Sequence, residues 1–588
     1  MSRAAVFFLT LSFSTTSIMA AGVSPAELQA IGLEVRWTNQ ATLDVGRDAV
    51  RHVTNDEANV YVQSTGGMLT AFHAENGRKL WNAQVGHTDE AAMMAVSNSQ
   101  IVVVVAGPTI NGYNKFNGAA LFEFRLPAYP TAAPGLSERD LFMPVSGGAI
   151  YAYSLGVLEY RTKYGKLPDT VITPHMWRFI CAEEINHPPV VGELAISFAT
   201  ESNSLFSVET KGVTVGKTRC QLLMTGSASA DLSVADNKGG SSVFMVTDEN
   251  RIFSIDMMTG NTEWTYPMGR KILQQPVVIG NHVYVVATDG TMIKIERDEY
   301  SPSWGRPIET PDWQFPMYIG AGMASTDQDA TAQGAVVMNI VPDSTADIAG
   351  LQPGDVITMI DGLAVDSVEA AQSALAELAV RVERSLEVTR GDAVLRLKIR
   401  IPAIKWSAQN VHEVTAVGRF AVYGIDKAER LVGFDLKTSR PMGRVSIPGY
   451  AKHHQNAETD QVYLVSHSGE VVCLREIGPT VRMPELSTVS NEATIKSVAV
   501  KSGAAIEAAG TVICEVELPD GEIQQITSSH PGEVREIYVA EGDIVQVGQP
   551  LILIADDQFA TYHQKPQQRP IDVELGDPNA AAPADGDQ

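Results

Sequence analysis

Short β-prone apolar runs alternate along most of this chain with Gly, Asn and Asp turn signals, and helical periodicity is scarce. The clearest unit is Asn59–Trp81, NVYVQSTGGMLTAFHAENGRKLW: a β run, a Gly66-Gly67 turn, a second run, an Asn76-Gly77 turn, and a third run ending in Trp81. Related units follow at Val102–Phe124, Leu141–Leu155, Leu194–Val208, Val243–Trp264, Val283–Ile295, Phe420–Leu436 and Val462–Leu474, making eight copies. A period of roughly 40 residues belongs to solenoids and propellers. A lone four-stranded sheet cannot bury both faces, whereas radially stacked sheets cover one another and leave only short edges. The expectation is a mainly β chain built on an eight-bladed β-propeller. Large residues such as Trp81 and Trp264 would fill the wedges between blades, and Trp37, in the early VRW, would close the ring by completing the last blade.

Residues 312–402 interrupt the repeat. AGLQPGDVI (Ala349–Ile357) sets tight turns at Gly350 and Gly354, Asp361-Gly362 makes a hairpin, and Asp366 with Glu369 reads as a capping box for a helix over Ser367–Leu378. This segment closely resembles a PDZ domain of the HtrA type. The resemblance implies capture of an extended peptide as an added strand, with loop amides meeting its terminal carboxylate. The loop is expected at YIGAGM, with Gly320, Ala321, Gly322 and Met323, where glycines let amides approach an anion. Ala371, Ala374 and Leu375 are expected on the far wall of the groove. No GxSxG or Ser/His/Asp set accompanies it, so the resemblance stops short of a protease.

Residues 484–556 carry two related stretches, Thr494–Ile513 and Glu533–Ile552, as in a pseudo-twofold flattened barrel. VAEGDIVQVGQPL resembles the biotinyl/lipoyl family. The hairpin between the halves is Glu517 to Glu522, and no lysine lies between Lys501 and Lys565, so swinging-arm chemistry has no attachment point. Unmodified lipoyl-like domains of periplasmic adaptors are the nearer likeness.

The propeller units, AFHAENGRKLW and SIDMMTGNTEW among them, resemble the PQQ-like repeat over about 35–310 and 408–477. Quinoprotein dehydrogenases and non-enzymatic propellers of the BamB type share it. The dehydrogenases commonly set a vicinal disulfide against the quinone. Here Cys181, Cys220, Cys473 and Cys514 are far apart, open to a Cys181–Cys220 pair or to four buried thiols, and none forms a CxxC. His453 and His454 are adjacent, so on a strand they diverge, and His175 and His187 lie near Pro in a loop. No catalytic residue, cofactor or metal is assigned.

Residues 1–20 read as a secretory signal with Arg3, an apolar stretch and a small-residue end at Ala20, and no later run is long and apolar enough to span a membrane. The net charge of −25 argues against nucleic acid as a partner, and 557–588 reads as a disordered acidic tail. The sequence points to an exported, soluble, non-enzymatic scaffold of the periplasm or envelope, or a secreted one. Its expected partners are proteins offering free C-termini or extended segments, with envelope protein assembly or quality control as its setting. The alternatives are a PQQ-dependent dehydrogenase and a membrane-fusion-type transport adaptor. The short barrel hairpin counts against the latter, which carries long heptads there.

Overall fold

The structure, a computed structural model, describes most of residues 23–555; the longest stretches outside it are 298–320, 326–332, 375–383 and 485–491, with 1–22 and 556–588 at the ends. The signal segment and the acidic tail therefore lie outside the described residues.

Eight four-stranded antiparallel sheets form the blades. Blades one to five are continuous in sequence, running Val50–Gln84, Val96–Arg125, Gly135–Ile180, Val190–Leu223 and Ser233–Pro267; blade seven is Glu413–Ser446. Blade six takes three strands from Val277–Glu296 and its outer strand, Ile404–Ala408, from beyond the interruption. Blade eight takes three from Lys452–Glu476 and its outer strand, Leu33–Gln40, from the start of the chain, with Trp37 opposite Cys473.

Closure of the ring is visible in where the apolar side chains go. Eight buried clusters each join two successive blades, from blades one and two (Tyr61, Trp81, Val104) round to blades eight and one (Trp37, Tyr463, Phe72). A sandwich of the same strands would gather them into one layer.

A single device repeats at the seams. In every blade the outer strand carries a bulge at the same register, and the residue after it is Trp37, Trp81, Phe122, Trp177, Cys220, Trp264, Trp406 or Gly443. Trp37 donates its indole N–H to Ala74 O (2.7 Å) and Trp81 to Lys115 O (2.9 Å), both in the next blade. A Cβ at Gly77 would overlap the Trp37 ring, and one at Gly118 the Trp81 ring. The Asn-Gly turns are thus required by the previous blade's tryptophan as well as by their own positive φ of 68° and 70°.

Helix α1 (Pro25–Ala30) is capped by Ser24 and buries Leu28 with Ile31 between blades seven and eight. Helix α2 (Leu155–Tyr164) interrupts blade three and packs on the outer strand of blade two; nothing in the sequence reading placed a helix there. The barrel after blade eight has two four-stranded sheets over its own core and meets the ring where Arg482 Nη2 donates to Ala30 O at 2.7 Å. Among the described residues no helix is long and apolar enough to cross a membrane.

Candidate peptide-binding edge and the family comparisons

The interruption folds as a separate sheet with its own core, and its five main strands lie in the order Ala321–Ser325, Ala335–Ile340, Val356–Ile360, Arg384–Arg390 and Ala393–Ile399. Asp355 is almost fully buried and takes both Arg390 Nε (2.7 Å) and Arg390 Nη2 (2.8 Å), while the Gln352 amide donates to its second oxygen (2.9 Å). Burial opposes ionisation of this carboxyl, but the guanidinium and the amide outweigh it and hold it below its ordinary range. Arg390 also donates to Gly350 O, so one ion pair ties the AGLQPGD turn to the last hairpin. Gly354 sits at φ 93° with open space around it, so conformation rather than crowding selects glycine there.

Ala321–Ser325 is the terminal strand of the sheet: its inner side pairs with Ala335–Ile340, with a bulge between Gly322 and Met323, and no described strand pairs with its other side. Ala321, Gly322 and Met323, expected in a loop, are instead the first residues of this paired strand; Ala321 is buried, and Met323 packs partly on the domain core. Gly320 and Leu375 lie outside the described residues. Ala371 and Ala374 are both buried in the core beneath the strand, on a helix whose first turn is capped differently from expectation. The Ser367 hydroxyl accepts from the Ala370 amide (3.1 Å), one residue after Asp366, because the hydroxyl of the residue preceding the first helical one reaches the free amide.

The other expected chemistry is structural in character. All four cysteines are free thiols, with Cys473 and Cys514 buried. His453, at the end of the strand Lys452–His453, faces Glu413 (3.4 Å), while His454, just past that strand, turns to Asn55. His175 is corrected from a loop to the first residue of the outer strand of blade three, where it packs edge-on against Tyr151. His187 bonds to Asp231 at 2.7 Å across blades four and five, and that bond raises its pKa. No cluster of His, Cys, Asp and Glu suited to a metal occurs among the described residues. The barrel hairpin of Glu517–Glu522, closed by Leu518 N to Glu522 O, carries no lysine.

The family model for the outer membrane protein assembly factor BamB matches residues 27–122 and 228–355, that for the PDZ domain 317–401, and that described as biotin-requiring enzyme 479–554. The first and second overlap over 317–355, and the strands described there, Ala321–Ser325 and Ala335–Ile340, pair within the PDZ sheet. An outer membrane protein assembly factor BamB from Shewanella oneidensis is 23% identical over 256 residues, which are 42% of this chain and 60% of that protein. The chain therefore spans less than two thirds of that relative's length. Among solved structures, BamB from Moraxella catarrhalis matches with a TM-score of 0.40 at 10% identity, covering 75% of this chain and all of that one. The computationally designed Ika8 protein matches at 0.41 and 12%, covering 74% and 99%. The chain combines BamB-type PQQ-like propeller repeats, a PDZ domain set into the sixth blade and a C-terminal biotinyl/lipoyl-like domain.

Proposed function

We propose that this protein is an exported, non-enzymatic scaffold of the cell envelope that holds extended or C-terminal segments of client proteins during their assembly or quality control. The observation that carries the reading is the outer side of strand Ala321–Ser325, with which no described strand pairs and which begins with the Ala-Gly-Met of the Gly-Ala-Gly-Met sequence. A client segment laid there would gain main-chain hydrogen bonds, and the amides of Gly320–Met323, at and before the start of the strand, would meet its carboxylate. The relative's description as an assembly factor supports the envelope setting. The ring supplies a rigid body and the barrel a further contact surface, so weak contacts on one chain would reinforce each other.

The test is titration of labelled peptides with free and with amidated C-termini. Gly322→Leu is expected to abolish capture of the free-carboxylate peptides while the melting temperature stays within about 2 °C. Unchanged binding by this variant would move the site elsewhere.

A further inference from the structure

We propose that the outer strand of blade three, His175–Ile180, is a docking edge for an extended segment of another protein in which acidic and apolar residues alternate. The repeat provides its own control. At the two outward positions after the bulge, blade one has Asn82 and Gln84, blade two Glu123 and Arg125, and blade seven Arg444 and Ser446, all exposed and polar. Blade three has Arg178 and Ile180 at those positions, and blade four has Gln221 and Leu223. Ile180 is 54% exposed, Leu223 82% and Met176, the bulge residue of the strand, 47%. The neighbouring hairpin of blade four adds Val213, fully exposed, and touches this strand where Gly216 meets Trp177.

On four other blades the chain covers part of its own rim. Helix α2 lies on blade two with the Arg161 guanidinium 4.9 Å from the Phe124 ring, helix α1 lies on blades seven and eight, and α3 (Thr345–Ile348) touches the outer strand of blade five. Among the described residues no further strand pairs with the outer strand of blade three, whose backbone edge is the end of its sheet. Exposed apolar edge strands are what soluble proteins ordinarily avoid. The Trp177 indole N–H is a further anomaly: it is buried without an acceptor, whereas Trp37, Trp81 and Trp264 all donate to the next blade.

Charge selects the occupant. In a chain of net charge −25, Arg178 and Arg219 have no carboxylate partner among the described residues, and Arg178 is held over the Tyr151 ring. The exposed positions of the strand therefore read apolar, cationic, apolar from Met176 to Ile180. An added strand reading apolar, acidic, apolar would match it pair by pair.

The probe is a labelled peptide of alternating valine and glutamate, amidated so that the PDZ loop has no carboxylate to hold. Added to the full chain, it is expected to slow amide exchange at 175–180. The double variant Arg178→Glu with Ile180→Lys, both at exposed positions, should weaken binding about tenfold or more with unchanged melting, as should replacing the peptide's glutamates by lysines. Protection at 321–325 instead of 175–180, or binding indifferent to either charge reversal, overturns the proposal. So does a dimer of the chain alone that Ile180→Lys dissociates, since the occupant is then a second copy.

Discussion

Blade eight is held on its two sides by different means. Against blade one, Trp37 lies between Phe72 and Tyr463, with ring centroids 6.2 and 6.1 Å away, and anchors its N–H on Ala74. Against blade seven the equivalent bulge offers only Gly443 opposite Gly433, and the space is filled from outside by Ile31 after helix α1. The seams also bury opposite chemistries. His454 beside blade one is pushed down to about 4 by burial. Glu476 beside blade seven is pushed up to about 7 by burial, with the Asp460 charge behind it, although it accepts from the Arg419 and Ala421 amides and the Tyr423 hydroxyl. The repeat thus conserves the geometry of a wedge while leaving its filler open.

The comparison can be broken most sharply at the aromatic seam. Trp37→Ala should cost about 3–5 kcal/mol, read by chemical denaturation, because the cavity lies between rigid sheets. Ile31→Ala should cost less, about 2–3 kcal/mol, since its glycine neighbours leave room to close in. Adding Gly443→Ala, whose new methyl points at the Ile31 site, should recover part of that loss, and a strictly additive pair would show the two residues uncoupled.

The smallest effect is electrostatic. His454 has a folded pKa below its unfolded value, so its stability is complete above about pH 6.5 and is lost as pH falls toward 4. Glu476 has a folded pKa above its unfolded value, so its stability is complete below about pH 4.5 and is lost as pH rises through 7. The two slopes oppose each other between those limits. Wild-type stability should be nearly flat there, and His454→Gln and Glu476→Gln should each uncover the other's slope, on the order of 1 kcal/mol per pH unit. Two variants with the same slope would sink this assignment.

Turn chemistry made the ring legible in the sequence. Asn76-Gly77 and Asn117-Gly118 announce hairpins, and the tryptophan that demands each glycine, Trp37 or Trp81, lies on the outer strand of the preceding blade. The outer strand of blade six was not legible as such, because residues 297–403 separate it from the strand it joins and it has no hairpin of its own. Helix α1 as a seam filler was equally hidden: the gap it fills is defined by two glycines far along the chain. At the proposed peptide edge, the Gly-Ala-Gly-Met sequence marks where the strand Ala321–Ser325 begins, whereas the facing of Ala371 and Ala374 depends on helix rotation, which the short Ala-rich pattern does not fix. The rim strand of blade three was not legible: His175 beside Pro174 reads as a loop, and nothing local tells an outward Ile180 from an inward one.

The strand Leu33–Gln40 pairs with Glu470–Glu476. A chain made from its N-terminus therefore exposes that strand first and satisfies it after the whole ring and the inserted PDZ have been made. Closing so long a loop is entropically slow. Throughout synthesis the nascent chain carries an open sheet edge with Trp37 at its centre, vulnerable to pairing with a neighbouring chain, and strands exchanged between molecules would be its characteristic misfolded form.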